Sequence, residues 1–141
     1  MTAPRLKPKG VLETSLYVED MARAGRFYAE TLGLAPMVQD KRMWALDCGP
    51  GSVLLLFQRG ETLETIDLPG GRIPSHDGNG RLHVAFAIGA DELAAWEARL
   101  SAAGVEIEAR MKWPAGGESI YFRDPDANLV ELATPGLWAN Y

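Results

Sequence analysis

Ser119–Pro135, SIYFRDPDANLVELATP, decides how the chain is read. It predicts two short strands joined by a tight turn over Asp124-Pro125-Asp126-Ala127-Asn128. Proline at the second turn position, with Asp and Asn around it, is ordinary turn chemistry. Leu129, Val130, Leu132 and Ala133 make the second strand apolar, yet Glu131 sits among them. A carboxylate there is costly to bury unless it is paired or holds a metal. The plainer reading is a half-exposed strand with Glu131 turned to water, which strand alternation permits.

The rest of the chain supplies candidate partners. Val11–Val18 is a strand with Leu12, Thr14, Leu16 and Val18 on one face and Val11, Glu13, Ser15 and Tyr17 on the other. Asp20 is placed as the N-cap of an amphipathic helix over 21–32, stopped by Gly33. Strands follow at Ala35–Asp40, Met43–Cys48 and Ser52–Gln58. Arg59–Arg81 shows no period and is rich in glycine and proline, which predicts a linker ending in a mobile loop. Leu82–Ile88 is again a strand, with Leu82, Val84, Phe86 and Ile88 on one face and His83, Ala85 and Ala87 on the other. A second helix, Asp91–Ala103, is stopped by Gly104, and Val105–Lys112 leads through a loop at Trp113 to the final hairpin.

Strand, helix, glycine and three strands therefore occur twice, over about 11–58 and 82–135. Glu13 and His83 are equivalent, 83 − 13 = 70 residues apart. The counterpart of Glu131 in the first copy is Leu55, give or take one residue. If each half packs its helix on one side of its sheet, Glu13, His83 and Glu131 all fall on the other side. The expectation is one groove, shared by the two halves, that receives all three.

Bulk properties narrow the function. The 141 residues suffice for one domain, and 47% are apolar. A net charge of −5, without long runs of either sign, argues against nucleic acid as the main partner. No apolar stretch is long enough to span a membrane, and the N-terminal MTAPRLKPKG reads as a polar tail, so a cytoplasmic protein is expected. The lone Cys48 excludes a disulfide framework or a cysteine zinc cluster.

Three motifs, LETSLYVEDMARAGRFYAETLGL, LHVAFAI and SIYFRDPDANLVELATP, carry a resemblance to the vicinal oxygen chelate superfamily. It comprises glyoxalase I, fosfomycin-resistance enzymes, extradiol dioxygenases and bleomycin-binding proteins. The resemblance spans about Val11–Pro135 and implies an α+β fold, a tandem βαβββ repeat with a groove-lined mixed sheet. It also implies a divalent metal held by Glu13, His83 and Glu131, and a homodimer. One imidazole and two carboxylates suit Mn, Fe, Co, Ni or Zn, with open positions for a substrate chelating through adjacent oxygens. Lewis-acid lyase or isomerase chemistry on a small molecule is the leading expectation. The alternatives are a metal-free drug-sequestering protein of the bleomycin-resistance type and an extradiol-type dioxygenase.

Several departures bear on the activity. Glu13 stands where many bacterial relatives have His, which moves the set away from two imidazoles and one carboxylate. ATPGLWANY carries no basic residue to grip a phosphonate, and Leu54 and Leu55 offer no fourth ligand. Ala127 replaces the usual turn glycine, which is tolerable if its φ is negative. Tyr121 is a further catalytic candidate besides Glu131, and Tyr121, Ser119, Arg123, His76 and Trp113 are candidates for substrate binding. Their plainer alternatives are core packing for the aromatic residues and solvation for the loop histidine. Trp44 and Phe57 are candidate groove walls.

Overall fold

A computed structural model describes residue 3 and residues 5–141. Residues 1, 2 and 4, part of the expected polar tail, lie outside the described residues. The first half runs β1 (Glu13–Val18), α1 (Met21–Arg26, continued by a π-helical segment over Phe27–Thr31), β2 (Ala35–Gln39), β3 (Met43–Asp47) and β4 (Val53–Gln58). A hairpin of β5 (Ile66–Leu68) and β6 (Gly71–Ile73) follows. The second half comprises β7 (His83–Ala87), α2 (Leu93–Ala102), β8 (Ala109–Lys112), β9 (Glu118–Arg123) and β10 (Leu129–Ala133).

The repeat is visible in the pairing. The sheets have the orders β1-β4-β3-β2 and β7-β10-β9-β8, each with one parallel pair, β1 with β4 and β7 with β10. The halves thus form two four-stranded mixed sheets of equivalent topology instead of sharing one. Register fixes the correspondence: Glu13 lies opposite Val53 and His83 opposite Leu129, so Leu55 is the counterpart of Glu131.

One cluster of buried residues draws on both halves, including Leu16, Tyr28, Leu54 and Leu56 from the first and Phe122, Val130 and Leu132 from the second. Asp20 caps α1 by accepting from the Arg23 N–H. Gly25 lets the helix approach Trp44: a Cβ there would stand 2.4 Å from the indole ring. Trp44 is therefore a packing residue beneath α1 and not a groove wall. At the start of β1, Leu12 and Thr14 are exposed, so the core face begins only at Leu16.

The final turn ties the halves together. The buried Asp124 carboxylate accepts from the backbone N–H groups of Asp126 and Asn128, from the Asn128 amide, and from the Tyr28 hydroxyl at 2.7 Å. Asn128 in turn accepts from the Leu82 N–H, at the entry to β7, and Asp126 accepts from the Glu19 N–H, at the entry to α1.

Two expectations change. Arg59–Arg81, expected as a linker ending in a loop, contains the β5–β6 hairpin and buries Thr62, which exchanges hydrogen bonds with the His76 backbone. The paired strands are only three residues each, too short for a periodic signal. Ala127 has φ +65°, so the condition for its easy tolerance fails. A left-handed alanine costs roughly 1–2 kcal/mol.

Ala127→Gly is therefore expected to stabilise the protein by about 1 kcal/mol in urea denaturation. Tyr28→Phe should cost roughly 1.5–3 kcal/mol, the value of a hydrogen bond to a charged group. Burial, and then the Asp124 charge, push the Tyr28 phenol well above its ordinary value. Its stabilisation is full below the unfolded phenol pKa and fades as pH rises toward the folded one. The stability gap between wild type and Tyr28→Phe should accordingly narrow above about pH 10.

Candidate metal centre and adjoining cavity

On the second sheet, β10 places Glu131 between Ala85 of β7 and Tyr121 of β9. Its carboxylate is buried, while His83, one row away on the edge strand, is half exposed. His83 Nε2 stands 3.2 Å from Glu131 Oε1. His83 Nδ1 stands 2.9 Å from the Leu129 carbonyl oxygen, which can only accept, so Nδ1 carries the ring proton. In the neutral ring, Nε2 then turns a lone pair toward a carboxylate. That contact is favourable only with a proton or a cation between the two atoms.

The remaining carboxylate oxygen is held from behind. Ser119 donates to Glu131 Oε2 at 2.6 Å, and the Trp113 indole N–H donates to Ser119 Oγ at 2.8 Å. Burial, and then the Glu131 charge, raise the Tyr121 phenol, whose ring lies 6.4 Å from that of His83. Tyr121 therefore keeps its proton at neutral pH and is a hydrogen-bond donor beside the carboxylate.

The donor set suits a divalent ion. Two donors about 2.1 Å from one ion, at a right-angled to tetrahedral bite, stand roughly 3–3.4 Å apart, and the observed 3.2 Å lies in that range. The Nδ1–H bond to Leu129 and the Ser119 bond to Glu131 are contacts of the kind that orient the ligands of a metal site.

Glu13 lies elsewhere. It stands exposed on β1, the edge of the first sheet, and among the described residues no three His, Cys, Asp or Glu side chains converge. The expected groove holding all three ligands is therefore not formed within one chain. Each half closes its own sheet, so equivalent positions 13 and 83 belong to different sheets.

Glu13 instead lines an open cavity of about 940 Å³ over the first sheet. Leu55 and Phe57 form its apolar floor beside Ser15, and Leu68 and Ile73 of the β5–β6 hairpin reach its wall. His76 lies here, its Nδ1 2.6 Å from the Tyr17 hydroxyl and its ring edge-on to Phe57. Arg123 serves neither place: its guanidinium pairs with Glu108 and donates to the Ala127 carbonyl. Sequence reasoning missed Arg42, which lines the cavity with its guanidinium 5.5 Å from the Phe57 ring centre. Its place beside a strand start gave no signal of that role.

Residues 10–132 match the Glyoxalase/Bleomycin resistance protein/Dioxygenase superfamily. The chain belongs to this superfamily. It is 29% identical over 127 residues to the metallothiol transferase FosB of Shouchella clausii, covering 89% of this chain and 80% of that one. The crystal structure of lactoylglutathione lyase from Agrobacterium tumefaciens is similar at TM-score 0.84 and 32% identity, over 94% of this chain and 98% of that one. The fosfomycin resistance protein FosX of Mesorhizobium loti shares the fold at TM-score 0.63 and 21% identity, over 91% and 93% of the two chains. Both relatives with the higher identities are named as enzymes. Among the described residues of this superfamily member, no helix is long and apolar enough to cross a membrane.

Glu131→Gln would keep the bond from Ser119 and present an N–H to the bare Nε2 of His83. In chelator-treated protein with His83 neutral, this substitution is expected to raise stability by about 1 kcal/mol in urea denaturation, since it gives Nε2 a hydrogen-bond donor.

Proposed function

We propose that the chain is a divalent-metal-dependent enzyme of glyoxalase type, a lyase or isomerase whose small substrate chelates through adjacent oxygens. Two copies assemble so that Glu13 of one completes the ligand set of His83 and Glu131 in the other. The observation that carries the reading is the buried Glu131 carboxylate 3.2 Å from His83 Nε2, both already oriented by outer contacts. Assembly is supported by the open face of the second sheet, where His83, Ala85, Ala87 and Met111 are exposed, and by the exposure of Glu13.

The residues have separable tasks. His83, Glu131 and Glu13 hold Mn, Fe, Co, Ni or Zn, with two carboxylates to offset the ion's charge. When bound, the ion supplies Lewis-acid stabilisation of negative charge developing on substrate oxygen. Ser119, itself held by Trp113, keeps Glu131 in one orientation. Tyr121 holds its proton and donates a hydrogen bond to a substrate oxygen beside Glu131. The cavity lined by Glu13 receives the rest of the substrate, and His76 contacts its far end.

The apolar character of that cavity favours a second reading, a metal-free protein that sequesters a drug. Metal content separates the two. Protein purified without added metal or chelator should carry about one equivalent of a transition metal by elemental mass spectrometry, and Glu131→Ala should carry none. Absence of metal, with no thermal shift on adding Mn²⁺, Ni²⁺, Zn²⁺ or Fe²⁺, would overturn the enzyme reading. Ser119→Ala should weaken metal affinity about 10- to 100-fold.

Mixing tests the assembly. Glu13→Ala and Glu131→Ala proteins should each be empty, yet regain about one quarter of the wild-type metal after unfolding and refolding together. Half of the dimers are then mixed, and each carries one intact site of two.

A further inference from the structure

The cavity over the first sheet has a direction. Along β1 its lining runs from Glu13 through Ser15 to Tyr17, a span of about 13 Å at the usual strand rise. The paired rows on β4 and β3 are Val53 at the Glu13 end, Leu55 and Ala45 in the middle, and Phe57 and Met43 at the Tyr17 end. The middle is apolar and the two ends carry opposite chemistry.

At the Phe57 end, Arg42 lies over the aromatic ring, and its Nε donates to the Glu61 carbonyl oxygen at 3.1 Å. Its two terminal nitrogens make no hydrogen bond or ion pair among the described residues. His76 sits against the same ring, 4.6 Å between centres. The Tyr17 hydroxyl, whose pKa is raised by burial and then by Asp77, stands 2.6 Å from His76 Nδ1. With the hydroxyl as the donor, the ring's own proton lies on Nε2, which is then a second donor. Nearby acids are turned to other work: Asp40 accepts from the Arg42 and Met43 N–H groups, and Asp77 accepts from the Gly78 N–H. Among the described residues, the only acid lining the cavity is Glu13, at the opposite end.

We propose that this cavity binds an apolar carboxylate end-on, with the carboxylate on Arg42 and His76 and the hydrocarbon or aryl body lying over Phe57, Leu55 and Ser15. Arg42 supplies a charge-assisted, forked donor pair, which suits a carboxylate. In chelator-treated protein Glu13 repels the same anion from the other end and so sets the orientation. The inference deepens the reading above by assigning the substrate's far end, and it rests on that reading only in calling the bound molecule a substrate.

Octanoate and octan-1-ol, equal in chain length and differing in charge, test it by calorimetric titration of wild type, Arg42→Gln and Arg42→Lys. The titrations use chelator-treated protein and protein reloaded with Mn²⁺. Octanoate should bind wild type at least about tenfold more tightly than octan-1-ol. Arg42→Gln should abolish the preference, and Arg42→Lys should keep part of it. Raising ionic strength from about 0.05 to about 0.5 M should weaken octanoate alone, a check in wild type that needs no variant. Equal affinity for the two probes, a preference that survives Arg42→Gln, or binding of neither would overturn the proposal. Octanoate binding to chelator-treated protein stands whatever the metal titre, so failure here and failure of the metal-enzyme reading are distinguishable.

Discussion

The buried carboxylate of Asp124 holds the fold's two halves in their relation. It sits in the final turn, yet one of its oxygens receives the hydroxyl of Tyr28, on the helical segment of the other repeat. A buried charge is tolerated only when its lone pairs are filled, and four donors do so here. Asn128 then passes the constraint to Leu82, one residue before His83. The turn thus sets the entry of β7 as well as that of β10, the two strands that carry His83 and Glu131. The left-handed strain at Ala127 is borne inside this network.

The same repeat has diverged into two different surfaces. In the second copy, a carboxylate occupies the position that Leu55 holds in the first, and Ser119 and Trp113 hold it in place. In the first copy, leucine leaves an apolar floor, and the inserted β5–β6 hairpin adds Leu68 and Ile73 beside it. In the proposed assembly, the polar centre on the second sheet of one copy would face the long apolar cavity on the first sheet of the other. Glu131 is buried at a position where apolar packing would be easier to accommodate.

Long alternating strands were legible because period 2 survives any tertiary context. Leu16, Val18, Val84, Val130 and Leu132 all face the core as their parity requires. The N-cap at Asp20 was equally legible, since capping is local chemistry. The β5–β6 pair was not, because three-residue strands carry too few positions to show a period. Core packing and groove wall were both open for Trp44, because parity alone does not reveal that Gly25 opens a slot beneath the helix. Arg42 and His76 met only because the chain between β4 and β7 folds back over the first sheet.

The amino-acid sequence by itself determined the repeat, the strand faces, the turn chemistry and the candidates Glu13, His83 and Glu131, all of which follow from local periodicity and residue type. The tertiary structure alone decided which of them meet. His83 and Glu131 lie 3.2 Å apart, while Glu13 belongs to the other sheet and its cavity. The reason is physical: alternation specifies the side of a strand on which a residue stands, whereas proximity depends on which strands hydrogen-bond to each other, and here each repeat completes its own sheet.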